Sequence, residues 1–305
     1  MAQATGVRIG WFDLPSEVRQ RIEQIIGGRV VEAVSQSGGF SPGTADRVRT
    51  AGRKRAFVKA VTPRINEHSA ALARREMSVT SALPAHAPVP RMLGGFDDDD
   101  WVVLILEDIE GTHPRTPWEE NEIDAAVRTL RDLANALTPA PAIDAPAVAG
   151  LLADDLRCWE SVAADPPDDL DAWTAAHLPE LSAVAEQGLT ALRSGNTLTH
   201  CDIRADNILV RPDGRMVIVD WPWGSIGPAW LDTALLGLNV LVHGGDPERV
   251  ISGLDPEAVT GLYVGLAGYF RHISRLPAPP SLPTVRAFQR WQSDALLPWL
   301  QTRIT

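Results

Sequence analysis

A chain of 305 residues, 45% hydrophobic and 22% charged, has the makeup of a soluble globular protein with room for two lobes or one large domain. Its formal net charge of -11 argues against nucleic acid as the main partner, because phosphate binding needs clustered Lys and Arg; it suits a cationic substrate and plain solubility about equally. Two cysteines build no disulfide framework, the N-terminus lacks an apolar signal core, and no run approaches the ~18–20 apolar residues of a membrane span, so a cytoplasmic protein without a membrane partner is expected.

In chain order, Asp13 to Ile26 reads as a helix, with Asp13 as cap, Pro15 in the first turn and Gly27-Gly28 at its end; Val30 to Ser35 alternates like a strand. The small residues from Ser35 to Thr44 bring backbone close to a ligand, and exposed amides around Ser37, Gly38 and Gly39 would cradle phosphate, although a plain hairpin turn fits as well. Arg47 to Ala51 and Ala56 to Val61 form a hairpin whose second strand places Lys59 between apolar neighbours, as the lysine of V-A-I-K sits in kinases. Ile65 to Leu83 is helical and carries the acids Glu67 and Glu76. A further hairpin, Arg91 to Phe96 and Trp101 to Leu106, turns at Asp97-Asp98-Asp99-Asp100; this is a solvated turn rather than a Ca²⁺ loop, since EF-hand spacing is absent. The apolar strand ending at Leu106 runs into the polar, Gly-ended Glu107-Asp108-Ile109-Glu110-Gly111.

Beyond this point the chain reads as mainly helical: Trp118 to Leu137, Val148 to Ala163, and Asp168 to His177. Asp154, Asp155 and Glu160 would suit a cationic pocket, with a solvated helix face the better reading. The sequence then changes character at Thr199-His200-Cys201-Asp202-Ile203-Arg204-Ala205-Asp206-Asn207. A strand from Ile208 to Val210 turns at Pro212-Asp213-Gly214 and returns from Met216 to Val219, so that Asp202, Asn207 and Asp220 fall at one end of a hairpin. Two carboxylates and an amide there suit a hard cation such as Mg²⁺. With Asn207 and Asp220 on the metal, Asp202 is left to hold a substrate hydroxyl, the division of labour in phosphoryl transfer.

The spacing H-x-D-x-x-x-x-N resembles the protein-kinase catalytic loop and, more closely, that of the aminoglycoside phosphotransferase family. The resemblance covers most of the chain in order. It implies an α+β, two-lobed, protein-kinase-like fold: an N-terminal antiparallel sheet lobe with a helix (residues 1–108) and a mainly helical C-terminal lobe (109–305). It implies Asp202 as catalytic base, Asn207 and Asp220 as ligands of Mg²⁺, and His200 and Asp232 as structural supports. It makes Ser37, Gly38 and Gly39 the nucleotide loop and Lys59 the ligand of the ATP phosphates. A buried lysine in that role needs a carboxylate, assigned to Glu76 with Glu67 as runner-up. The backbone at Glu107 and Ile109 would hold the purine. The pattern departs from protein kinases after Asp220, where the Gly of Asp-Phe-Gly is missing and Asp220 to Asp232 leaves no room for an activation segment or an A-P-E sequence. Asp232 is also read as the N-cap of a helix reaching Val242, and Trp221, Trp223 and Trp230 either wall the acceptor site or pack the core.

The expected activity is therefore ATP-dependent phosphorylation of a hydroxyl on a small molecule. The charge tilts the acceptor towards a cation, such as an aminoglycoside antibiotic; amino-alcohols, sugars and nucleosides are the alternatives. Two competing readings are a nucleotide-binding scaffold without turnover and an Fe(II) oxygenase built on His200, Asp202 and His243.

Overall fold

The structure, a computed structural model, describes residues 9–36, 43–279 and 283–304. Helix α1 (Ser16–Ile26) buries Val18, Ile22 and Ile26 and stops where Gly27 adopts a left-handed φ of 77°. Asp13 is not its cap: the Asp13 carboxylate accepts the Gly10 amide at 2.8 Å in a preceding turn, so the helix begins three residues later than its acidic start suggests.

Strands β1 (Val30–Ser35), β2 (Thr44–Thr50), β3 (Arg55–Val61), β4 (Met92–Asp97) and β5 (Val102–Leu106) make an antiparallel sheet in the order β1-β2-β3-β5-β4. Period-two alternation divides the sheet into two faces. Val48, Ala56, Val58, Ala60, Val103 and Ile105 pack with α1 and Trp11 on one face. Val61, Val102 and Leu104 on the other receive Ala70 of helix α2 (Glu67–Ala82), whose first turn is capped by the Asn66 side chain on the Ser69 amide. The expected Ser37, Gly38 and Gly39 phosphate loop lies outside the described residues.

The rest of the chain is mainly helical: α3 (Glu120–Ala136), α4 (Val148–Leu151), α5 (Ala153–Leu156), α6 (Cys158–Ala164), α7 (Ala172–Ala191), α8 (Leu231–Val242), α9 (Glu248–Ile251), α10 (Pro256–Ile273) and α11 (Val285–Gln301). Helix α10 is its axis, packing against α5, α6, α7 and α11. Gly188 of α7 and Gly261 of α10 let the two backbones touch, since a Cβ on Gly188 would meet the Gly261 carbonyl carbon at 2.3 Å. Helix α7 runs on through Pro179, so one 20-residue helix replaces the break expected near His177. The single helix expected over Val148 to Ala163 is instead three pieces, broken at Leu152 and Arg157. The breaks turn Leu156, Trp159 and Val162 all inward, and Trp159 donates its indole N–H to the Val264 carbonyl at 2.7 Å.

Short strands β6 (Thr197–Thr199), β7 (Ile208–Val210), β8 (Met216–Ile218) and β9 (Ser225–Gly227) pair as β6–β9 and β7–β8 and face the five-stranded sheet. The linking residues 111–112 bind to β7 by two hydrogen bonds between Thr112 and Val210, at 3.1 and 2.7 Å. Val79 and Ala87 reach from the N-terminal lobe into the helical core. Among the described residues no helix is long and apolar enough to cross a membrane.

Candidate functional site

The loop between β6 and β7 is shaped by a buried carboxylate. Asp232, in the first turn of α8, accepts the backbone amides of His200 at 2.8 Å and Cys201 at 3.0 Å. Cys201 has a φ of 66°, strained for a residue with a side chain, and the paired amides hold it there. Asp232 therefore fixes the loop and does not cap α8, whose N-cap is Trp230. Burial raises its carboxyl above the usual range, against the pull of those amides.

His200 is fully buried and locks the other side. Its Nδ1 lies 3.2 Å from the Asp202 amide and must accept that proton, so Nε2 carries the hydrogen and donates to the Val219 carbonyl at 2.9 Å. With both nitrogens occupied by backbone, His200 has no lone pair for iron, and the oxygenase reading fails. The Trp221 ring stands edge-on to His200 at 4.8 Å and is buried; it packs the core instead of walling a pocket.

Asn207 ends a 3-10 turn at the start of β7. Its carbonyl accepts the Val219 amide at 2.9 Å, which sets Asn207 beside Asp220 at the same end of the β7–β8 hairpin. The Asn207 amide nitrogen donates to the Asp202 carbonyl at 2.8 Å and to its carboxylate at 3.1 Å. Asp220 has a φ of 70°, a second strained position in the same site. Lys59 spans the two lobes, with Nζ 2.7 Å from Glu76 on α2 and 2.5 Å from Asp220. Glu67 instead faces Arg74 at 3.7 Å. Burial works against the Lys59 charge, but the two carboxylates outweigh it and hold the ammonium well above the usual lysine range. Burial likewise opposes charge on Asp220, and Lys59 turns the balance so that its carboxyl falls below the ordinary value.

Arg204, unremarked in the sequence, is the central cation of the loop. One guanidinium nitrogen donates to both oxygens of Asp202 at 3.0 and 3.2 Å; two others donate to Asp206 at 2.9 Å each. An Arg two residues from each of two acids is the signal that was available. Burial pushes the Asp202 carboxyl up, with Arg204 pulling it back only in part. At the strand-to-helix link, the Glu107 amide donates to the Arg91 carbonyl at 2.8 Å. The Glu107 carbonyl and the Ile109 amide have no protein partner among the described residues.

Asp154 and Glu160 are exposed and Asp155 is half-buried. Burial first, and then the charges of Asp155, Cys158 and Asp202 against that of Arg286, push the hydroxyl of Tyr269 on α10 up to about 12. Among the described residues no group of three or more His, Cys, Asp or Glu converges as a metal cage. The donor set is one carboxylate and one amide oxygen. That is too few for a protein-only site, yet it fits Mg²⁺ completed by phosphate oxygens and water.

A family model, that of the APH phosphotransferase enzyme family, matches residues 37–251. The chain belongs to this phosphotransferase family. No curated protein sequence matches it. Among solved structures, aminoglycoside phosphotransferase APH(4)-Ia superposes with a TM-score of 0.61 at 14% identity, over 94% of this chain and 98% of that one. Choline kinase LicA from Streptococcus pneumoniae gives a TM-score of 0.62 at 14% identity over 94% and 100%. Amicoumacin kinase hAmiN, in complex with AMP-PNP, Ca²⁺ and Ami, gives 0.59 at 13% identity over 93% and 96%. The phosphotransferase family thus combines here with a protein-kinase-like fold, α+β in composition, as the catalytic-loop resemblance implies.

Proposed function

We propose that the protein is a small-molecule kinase that moves the γ-phosphate of ATP to an acceptor hydroxyl, with the lobe boundary near residues 108 and 109. The observation that carries this reading is Lys59, tied at once to Glu76 and to Asp220, opposite the hairpin end that bears Asp202 and Asn207. In this reading Lys59 binds the nucleotide phosphates and Glu76 keeps it aimed. The Asn207 oxygen and the Asp220 carboxylate hold Mg²⁺, which when bound neutralises charge on the phosphates. Asp202 receives the acceptor's hydroxyl proton; its raised pKa favours that role. Arg204 holds both Asp202 oxygens and thereby orients the base. Catalysis in such a site is mainly placement and charge compensation.

The acceptor would enter between Asp202 and the face bearing Asp155 and Tyr269. A half-buried carboxylate such as Asp155 suits a cationic group. The structural neighbours, an aminoglycoside phosphotransferase in complex with ADP and hygromycin B and a choline kinase, are compatible with such an acceptor. The two free thiols fit a cytoplasmic setting.

The test is a screen of amino-alcohols, aminoglycosides, other cationic antibiotics, sugars and nucleosides for acceptor-dependent ADP release, followed by locating the new phosphate. Asp202→Ala should lower turnover about a thousandfold while leaving ATP affinity nearly unchanged. A parallel loss of ATP binding would remove Asp202 from the role of base. Wild-type protein that binds Mg-ATP but phosphorylates no acceptor would favour a scaffold.

A further inference from the structure

The strand register places four side chains from neighbouring strands in one row of the sheet face that carries Lys59. Phe57 of β3 lies opposite Arg47 of β2 and Leu106 of β5, and Arg47 lies opposite Val34 of β1. The next row towards the link between lobes holds Arg55, Arg49 and Glu32. An arginine in the middle of a sheet face that looks into a cleft is unexpected, because a buried hydrophobic residue would pack better there. Arg47 is held by its edge: Nε and one terminal nitrogen lie 2.7 and 3.4 Å from the two oxygens of Asp108. Arg55 binds the same carboxylate at 2.7 Å. The Asp108 side chain is only 4% exposed whereas that of Arg47 is 31% exposed, so the carboxylate is the buried anchor and the guanidinium the presented group.

Below this row a cavity of about 460 Å³ opens, lined by Val34, Arg47, Arg55, Asp108 and Gly111 among others. That is the size of a pocket for a nucleotide-sized ligand. The Glu107 carbonyl and Ile109 amide, without a partner among the described residues, flank Asp108 in the chain and offer one acceptor and one donor. On the opposite side Leu209 is half-buried between Ile208 and Val210, both packed on the helical core, so strand alternation turns it towards the cleft.

We propose that Arg47 is the ceiling of the base pocket: its guanidinium plane, clamped along one edge by Asp108, stacks on the purine of the nucleotide while Leu209 forms the floor. Planar guanidinium groups stack on π faces, whereas an ammonium offers no plane. The pair Arg47–Asp108 thus sets affinity for the base, separately from Lys59, which serves the phosphates.

The inference rests on the reading that this cleft takes a nucleotide, and calorimetric titration of the full chain separates the two. Wild type is titrated with Mg²⁺ and, in turn, ATP, GTP and inorganic tripolyphosphate; Arg47→Ala, Arg47→Met and Arg47→Lys follow. Arg47→Ala and Arg47→Lys should each weaken ATP about tenfold, the scale of a lost stack on a base, and leave tripolyphosphate within about twofold. Arg47→Met keeps the volume and should behave like Arg47→Ala, which guards against a variant that fails to fold. If wild type binds none of the nucleotides, the kinase reading itself falls. If wild type binds ATP and Arg47→Ala binds it as tightly, the nucleotide reading stands and the stacking role is overturned. An equal loss for ATP and tripolyphosphate, or recovery by Arg47→Lys, also overturns it, because charge rather than a planar face would then be what Arg47 supplies.

Discussion

Asp155 is the residue whose ionisation the fold alters where an acceptor would bind. Burial, helped by Asp154, raises its carboxyl from 3.8 to about 6. The folded state therefore holds a proton that the unfolded chain has released between those values, and stability falls as pH rises through this window. The penalty is complete above pH 6 and fades as pH drops towards 3.8. Asp155→Asn should stabilise the fold at pH 7.5 more than at pH 5, by on the order of 1 kcal/mol once solvent screening is allowed for, read as a larger rise in melting temperature at the higher pH. For a cationic acceptor the same titration reads out in kinetics. Lowering pH through 6 protonates Asp155, and the acceptor KM should climb while the nucleotide KM stays flat. A flat acceptor KM in wild type, or an unchanged profile in Asp155→Asn, would remove Asp155 from the acceptor face.

At the scale of elements, the loop before β7 depends on a helix that follows it in the chain. Asp232→Ala orphans the amides of His200 and Cys201 and releases the strain at Cys201. Leaving two buried amides unpaired should cost about 2–4 kcal/mol in denaturant unfolding, and Asp232→Asn, which keeps one acceptor oxygen, should recover part of it. Stability unchanged in Asp232→Ala would show that the loop holds itself. This dependence marks the limit of what the sequence discloses. The β7–β8 hairpin was legible because Pro212-Asp213-Gly214 is local turn chemistry, and the alternating runs gave the five main strands within a residue or three of their ends. The Lys59 strand and the catalytic-loop spacing were legible for the same reason. Asp232 reads locally only as a cap, and its supporting role comes from the family resemblance alone, because its partners lie about thirty residues earlier, where no local rule reaches. The three-residue strands β6 and β9 have no periodicity to detect. Helix α7 runs through Pro179 while packed along α10, a tertiary setting that overrides local propensity. Arg204 and Arg47 drew no attention because a charged residue is ordinarily solvated, and only the fold shows that each is clamped by carboxylates.

Across the whole molecule, one ammonium joins the lobes through two carboxylates of different accessibility. The Glu76 side chain is 5% exposed and that of Asp220 is 42% exposed. Removing Lys59 alone strands Glu76 as a buried, uncompensated charge, which costs about 3–5 kcal/mol in comparable pairs. Lys59→Met should therefore both unfold more easily and lose activity, an outcome that by itself does not separate structure from chemistry. The double variant Lys59→Met, Glu76→Leu separates them. Replacing both partners by apolar groups removes the stranded charge, so most of the lost stability should return. The phosphates would still lack their cation, and phosphate transfer should remain at least about a hundredfold below wild type. Glu76→Leu alone should retain some activity, because Asp220 still anchors Lys59 from the other lobe, but with a raised nucleotide KM as the ammonium loses its aim. Recovery of activity together with stability in the double variant would mean that Lys59 only braces the two lobes and that the phosphates are held by other groups.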